Sequence, residues 1–158
     1  MLAIGKYGWI QDLGLDILAI GFLALTIGLY TWKSSGTKWI IGLIILVLIS
    51  VDLIMIAEHN QYAGRPGDKI HRKLVYALAL LFPALVLLTS FDLKSLKPYL
   101  KKFSFWIAGL WLVLAPLLPL VPDSVNGAYE RLVCALIVIW LGTVSYNLIY
   151  AYRKTENT

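Results

Sequence analysis

Asp52 is the residue of this 158-residue chain whose setting most favours chemistry, since it is a carboxylate inside a long apolar run. A charged side chain at the centre of a bilayer costs about 2.5–3.5 kcal/mol on insertion scales, and such residues face the protein interior. His59 follows seven residues later, which places it on the same helical face, about 10 Å further along the axis. Glu58 lies beside it. We therefore expect Asp52 and His59 to line one groove.

Three further candidates open two other apolar stretches. His71 lies at the start of the third stretch, and Glu130 with Arg131 lies at the start of the last. Histidine and carboxylate side chains at a membrane edge can bind polar groups or transfer protons. The predicted ligand-binding residues are therefore Asp52, Glu58, His59, His71, Glu130 and Arg131.

A metal site is the first of three chemistries open to this cluster. It would use Glu58, His59 and His71, but neighbouring ligands on one helix point apart, and no HxxxH or ExxH spacing occurs. We therefore expect no metal.

The other two chemistries are proton transfer and a structural ion-pair network. Proton transfer would pair Asp52 with His59, or Glu130 with His71, because burial shifts the pKa of such groups. In an ion-pair network, Arg72 and Arg131 would neutralise the carboxylates Asp52, Glu58 and Glu130 and hold the helices together. The sequence leaves both open.

Motifs for nucleotide, haem or nucleophilic chemistry do not occur in the sequence. There is no nucleophile elbow, P-loop, dinucleotide fingerprint, CxxC pair or haem-attachment motif. The single cysteine, Cys134, lies inside the last apolar stretch, where a packing role is expected. We predict no cofactor and name no catalytic residue, and whether the protein is an enzyme stays open.

The elements that position these residues are long apolar stretches. Apolar residues make up 59% of the chain and charged residues 15%, with a mean hydropathy of +0.77, whereas soluble domains have about a quarter charged residues. The stretches have the length of membrane-spanning helices and exceed that of barrel strands. We predict one all-α membrane domain over residues 1–158, a five-helix bundle with helices at 13–32, 39–57, 72–91, 103–121 and 128–151.

Five spans place the termini on opposite sides of the membrane. Side A is defined as the side with the N-terminus and the connectors 58–71 and 122–128, and side B as the other. Side A has six Lys and Arg residues and side B has eight, while seven of the nine acids lie at side A. The positive-inside rule therefore favours a cell-membrane protein with its N-terminus outside and its C-terminus in the cytoplasm. The basic residues flank the spans, so nucleic acid is not an expected partner.

Glycine and proline positions indicate how the helices pack. Gly14, Gly21 and Gly28 recur every seven residues and form a smooth seam for a neighbouring helix. Pro83 is expected to interrupt the third helix, and the prolines at 116, 119 and 122 to end the fourth. Asp12, Asp68 and Asp123 are expected to be acids at helix starts.

Three short motifs resemble an uncharacterised membrane family, domain of unknown function 998. They are Gln11-Asp12-Leu13-Gly14, Ile70-His71-Arg72, and the segment from Gly127 through Glu130-Arg131 with Trp140 beyond it. The likeness covers most of the chain and implies a helical membrane protein, with interest at His71, Glu130 and Arg131, but no activity. The chain departs from the family pattern by having one helix fewer and by Glu58-His59-Asn60 standing where a proline–acid segment is usual.

These observations favour a membrane protein whose side A cluster binds a small polar or lipid-like ligand. One alternative is an accessory subunit, with partner membrane proteins or further copies of itself, because the chain is small and has few polar loops. Another is a membrane enzyme or proton-coupled carrier using Asp52 and His59. Membrane lipids are partners in all three cases.

Overall fold

The computed structural model describes residues 8–32, 36–59 and 68–156. Within these residues the chain is helical, without strands. The five helices and one short 3₁₀ segment are α1 (Gly8–Thr31), α2 (Thr37–His59), α3 (Asp68–Leu93), α4 (Pro98–Leu114) with 3₁₀ turns at Ala115–Leu120, and α5 (Asp123–Glu156).

The helices extend beyond the spans predicted from hydropathy. The α1 helix begins at Gly8 rather than at 13, α4 begins at Pro98 rather than at 103, and α5 continues to Glu156 rather than ending at 151. Hydropathy marks the hydrocarbon layer, whereas the backbone stays helical into the interface, where polar side chains are tolerated. Pro98 suits the first position of α4, where no helical N–H bond is needed.

The helices form a ring in which each packs against the next along the chain. The last helix, α5, contacts both α4 and α1 and so closes the ring. All five helices are long and apolar enough to cross a membrane. Large apolar side chains such as Leu80 and Trp106 are 74% and 72% exposed on the outside of the ring, as expected where lipid is the solvent. The predicted all-α, five-helix membrane bundle is confirmed.

Pro83 does not interrupt α3, contrary to the sequence-based expectation. The helix runs continuously from Asp68 to Leu93 with Pro83 inside it. Proline has no N–H, so the carbonyl of Ala79, four residues earlier, lacks its helical donor. The indole Nε1 of Trp111 on α4 donates to that carbonyl oxygen at 3.0 Å. A side chain of the neighbouring helix thus replaces the missing backbone bond.

An aromatic cluster surrounds this bond at the centre of the ring. Phe82 is fully buried, and its ring centroid lies 4.7 Å from that of Trp111 and 6.0 Å from that of Trp140. Trp140 on α5 donates its Nε1–H to the hydroxyl of Ser104 on α4 at 3.1 Å. Both tryptophans therefore pack in the core and also bond a neighbouring helix.

The prolines at 116 and 119 accompany the end of α4, as predicted. The α-helix ends at Leu114 and tightens into 3₁₀ turns through Leu120. The carbonyl of Leu114 accepts a hydrogen bond from the hydroxyl of Tyr129 on α5 at 2.9 Å. This bond serves a carbonyl near the helix end and ties α5 to α4 at side A.

Polar side chains join α5 to its two neighbours near side B. The hydroxyls of Tyr152 and Thr31 form a 2.5 Å hydrogen bond between α5 and α1. The side-chain amide of Asn147 donates to the hydroxyl of Tyr99 on α4 at 2.7 Å. Hydrogen bonds between membrane helices contribute about 0.6 kcal/mol on average. They hold the ring closed at side B.

The glycine seam of α1 faces α5. A Cβ built on Gly21 would lie 3.1 Å from Leu141 Cδ2, and one on Gly28 would lie 2.7 Å from Leu148 Cδ2. The matching seven-residue spacing shows that α1 and α5 run parallel. A Cβ on Gly14 would meet nothing within 4 Å. The two helices are therefore in close contact toward side B and further apart toward side A.

The bond between Trp111 and Ala79 predicts a non-additive pair of substitutions. Trp111→Phe keeps the ring but leaves the Ala79 carbonyl without a donor, and should cost about 1–2 kcal/mol in lipid-like surroundings. Pro83→Ala restores the helical N–H, so in that background Trp111→Phe should cost much less. Thermal unfolding in detergent measures both, with the exposed Trp106→Phe as control. Equal costs in the two backgrounds would contradict this account.

Candidate functional site

The depth of each candidate follows from the register of α2 against α3. A Cβ on Gly42 would lie 2.6 Å from Thr89 Cγ2, so these residues face each other across the helix pair. The helices are antiparallel, and counting from this contact places Asp52 opposite residues near Ala79. On the same register, His71 lies about 12 Å nearer to the side A surface than Asp52. The two residues are on adjacent helices but at different depths.

Asp52 is buried on the inner face of α2. Its side chain is 6% exposed, and the residues one and two turns away on the same face, Ile45, Ile49 and Ile56, are buried as well. Its Oδ2 atom has no hydrogen-bond partner among the described residues. Removing a carboxylate from water without such partners is costly. This is not the geometry of a sealed ion pair.

His71 lies in the first turn of α3 and is half-buried. Its Nδ1 atom is buried and, within the described part of the chain, has no hydrogen-bond partner. Buried polar atoms are rarely left without partners, and those that are require an explanation. His71 thus shares with Asp52 the property that most distinguishes these two residues from the rest of the bundle.

His59 and Glu58 have a more local setting at the end of α2. The Nδ1 of His59 donates to the carbonyl of Met55, one turn earlier, at 2.8 Å. A carbonyl can only accept, so this nitrogen carries the proton. The bond serves one of the last carbonyls of the helix, and it commits Nδ1 to the backbone rather than to Asp52. Glu58 is exposed.

Glu130 and Arg131 lie on α5 beyond its first turn, because that helix begins at Asp123. Glu130 is half-buried and Arg131 is exposed. The hydrogen bond from Tyr129 to α4 fixes this part of α5. Glu130 is thereby held at the side A end of the ring, nearer to the depth of His71 than to that of Asp52.

Asp16 lies near the depth of Asp52, and sequence reasoning did not place it in the cluster. The short connection between α1 and α2 makes them an antiparallel hairpin, in which Asp52 falls near the depth of Asp16. Asp16 is half-buried. Residues at equal distances before and after the 33–38 connector lie at similar depths, so this count identifies Asp16 from the sequence.

The acids predicted at helix starts have mixed outcomes. The α1 helix begins at Gly8, so Asp12 lies in its second turn rather than at its start. Asp68 and Asp123 are the first residues of α3 and α5, but their side chains lie outside the described set. Three helices nonetheless direct their N-termini, with partial positive charge and free N–H groups, toward side A.

The candidates therefore form two layers rather than one compact centre. The inner layer is Asp52, at the depth of Asp16, and the outer layer contains His71 and Glu130. Across residues 8–32, 36–59 and 68–156, no group of three or more His, Cys, Asp and Glu side chains is arranged to hold a metal ion. Asp52 on the one hand and His71 and Glu130 on the other thus lie at different depths from the side A end of the helices.

Comparison with known protein families gives a match over most of the chain. The family model described as "Protein of unknown function (DUF998)" matches residues 1–147, which include α1 to α4 and most of α5. This confirms the resemblance carried by the motifs around Asp12, His71 and Glu130. No curated protein and no solved structure matches the chain.

The setting of Asp52 predicts that removing its carboxylate stabilises the protein. Asp52→Leu replaces a buried acid that has an unpartnered oxygen with an apolar side chain of similar size, and should raise the free energy of unfolding by about 1–3 kcal/mol. Thermal unfolding in detergent measures this. The exposed neighbour Val51→Leu is the control and should change little. A decrease in the free energy of unfolding as large as that caused by a cavity-forming core substitution would show that Asp52 holds the bundle together.

Proposed function

The chain belongs to the DUF998 family, and we propose that it is a multi-pass membrane protein whose side A helix ends bind a small polar or lipid-like ligand. The observation that carries the proposal is the buried Oδ2 of Asp52, which has no hydrogen-bond partner in residues 8–32, 36–59 and 68–156. A structural network would satisfy this atom within the protein. In a binding site, this oxygen would remain available to accept a hydrogen bond from the ligand.

The chemistry of the two layers selects the kind of ligand. An aspartate oxygen accepts hydrogen bonds, so the inner layer favours a hydroxyl or an amine. The imidazole of His71 donates or accepts according to its tautomer, and the carboxylate of Glu130 accepts. A ligand rich in hydroxyl or amino groups, such as the head group of a lipid or a small polyol, has the donors that these positions require.

The depth of the layers favours an elongated ligand that enters from the membrane edge. The inner and outer layers are about 12 Å apart along the helix axes. The helices of the hairpins α1–α2 and α3–α4 are in close contact, and α5 diverges from α1 toward side A. Entry from side A would follow that divergence.

Side A is proposed to be the outer face of a cell membrane. The support is the excess of Lys and Arg at side B, eight residues against six, which the positive-inside rule relates to the cytoplasm. Side B also has few acids, which suits an anionic cytoplasmic leaflet. The ligand would then come from the outer leaflet or from outside the cell.

Ligand binding predicts a thermal shift that depends on Asp52 and His71. Purified protein would be titrated with dioleoylphosphatidylethanolamine, a glucosyl diacylglycerol and free glucose, which present an amine, a lipid-linked polyol and a free polyol. A site-specific ligand at one hundred times its dissociation constant stabilises the protein by about 2.7 kcal/mol. Asp52→Asn and His71→Gln should abolish most of that stabilisation while the protein stays folded.

The matched control is Asp92→Asn, a half-buried carboxylate on α3 near side B. It should leave the ligand-induced stabilisation intact. If none of the three probes stabilises the native protein, or if all three variants respond alike, the binding proposal fails. If a second membrane protein co-purifies with the native chain and with the side A variants alike, the accessory-subunit alternative is favoured.

The orientation can be tested with single cysteines in a Cys134→Ala background. Ser124 and Lys94 are exposed residues near side A and side B. On whole cells, a membrane-impermeant maleimide should label Ser124→Cys and spare Lys94→Cys until the membrane is permeabilised. The reverse pattern would place side A in the cytoplasm.

A further inference from the structure

Two lysines from different helices hold their ammonium groups against the same aromatic ring at side B. The ring belongs to Phe91, near the end of α3. Lys38 lies in the first turn of α2 and Lys101 in the first turn of α4, and their Nζ atoms are 5.7 Å and 4.7 Å from the ring centroid. The two nitrogens are therefore no further apart than the sum of these distances, about 10 Å. We call Lys38, Phe91 and Lys101 the side B cluster.

The side B cluster concentrates positive charge. The ring attracts each cation, but two ammonium groups this close also repel each other, and more strongly near a protein surface than in bulk water. The first turns of α2 and α4 contain no acid, although a helix N-terminus favours anions over cations. Asp92, which follows Phe91, is half-buried and engaged in a contact of its own. An added anion beside the two lysines would therefore relieve their repulsion.

The ring contacts leave both lysines able to bind such an anion. A cation–π contact uses the charge over the ring face, whereas the ammonium group also has three N–H donors. Phosphate oxygens accept charge-assisted hydrogen bonds from ammonium groups at about 2.7–2.9 Å. The lysine side chain is flexible along its four carbons. Lys38 and Lys101 can therefore reach one phosphate without a shift of the helices.

The surface next to the cluster favours a lipid over a soluble anion. Phe91 is exposed and packs edge to face on Phe105 of α4, which is also exposed, with the ring centroids 5.8 Å apart. Ile41, about one turn deeper than Lys38 on α2, is exposed as well. In a bilayer, acyl chains contact such side chains. The cluster thus places a phosphate-binding pair of cations directly beside an apolar surface.

We propose that the side B cluster binds the phosphate of an anionic phospholipid in the side B leaflet. Lys38 and Lys101 donate to the phosphate oxygens, and the ring of Phe91 holds the two ammonium groups in place. A zwitterionic choline lipid is disfavoured because its head group brings a further cation to the lysines. Basic pockets between membrane helices are suited to anionic head groups. The bound lipid would join the starts of α2 and α4 across the end of α3.

The test uses the purified full chain, stripped of lipid in detergent, with native mass spectrometry to count bound lipids. The native protein should bind dioleoylphosphatidylglycerol more tightly than dioleoylphosphatidylcholine. Lys38→Gln and Lys101→Gln should each weaken phosphatidylglycerol binding about tenfold through the loss of a charge-assisted hydrogen bond, whereas Lys101→Arg should retain it. Phe91→Leu keeps both charges but removes the ring, and should weaken binding about threefold.

Lys97→Gln is the matched control. The Nζ of Lys97 lies 5.1 Å from the centroid of Tyr150 on α5, rather than over Phe91, and its side chain does not cap α4. The variant removes the same charge and one cation–π contact, yet should bind phosphatidylglycerol within about twofold of the native protein, because screening limits the effect of a distant exposed charge.

Three results would overturn the proposal. Equal weakening by Lys38→Gln, Lys101→Gln and Lys97→Gln would show that net charge alone attracts the lipid. Inorganic phosphate that binds as tightly as phosphatidylglycerol would make the site one for a soluble anion. A lower unfolding temperature of Lys38→Gln and Lys101→Gln with unchanged lipid binding would show that the cluster only holds the helices together.

Discussion

The bond between the indole of Trp111 and the carbonyl of Ala79 is the interaction on which the ring of helices depends most directly. In lipid, no water is available to donate a hydrogen bond to a backbone carbonyl. The hydrogen bond lost at each proline within a membrane helix must therefore be replaced by another donor. Here the compensation comes from a side chain on the next helix. The same tryptophan packs on Phe82, which also contacts Trp140. One hydrogen bond therefore fixes α3 against α4 and supports the aromatic centre.

The two sides of the membrane differ in their polar groups, although side A also has one bond between helices, from Tyr129 to the carbonyl of Leu114. Toward side B, the polar side chains bond across helices, as Tyr152 does with Thr31 and Asn147 does with Tyr99. Toward side A, buried polar atoms of Asp52 and His71 are left without such bonds within the described residues. Stability is concentrated where the helices are joined, and the capacity to bind is concentrated where polar atoms lack partners. This division is the physical basis of the proposed function.

The same division explains why Asp52 should cost stability when no ligand is present. A buried acid with an oxygen that has no hydrogen-bond partner among the described residues is worse for folding than an apolar residue of the same size. Functional sites commonly retain such residues because binding requires groups that are not already satisfied.

The sequence by itself determined the number of spans, the all-helical class and the family, because these follow from hydropathy and short motifs along the chain. It also singled out Asp52, since an acid within an apolar run is visible without any structure. Where the helices begin and end was less accessible, because backbone hydrogen bonding continues past the hydrocarbon layer that hydropathy detects. Only the tertiary structure showed that Pro83 leaves α3 unbroken, as its lost bond is replaced from 32 residues away along the chain. It likewise separated Asp52 from His71 in depth and committed His59 to Met55, because the register between helices depends on close contacts such as that of Gly42 with Thr89. Such contacts join residues distant in sequence, and no local pattern specifies them.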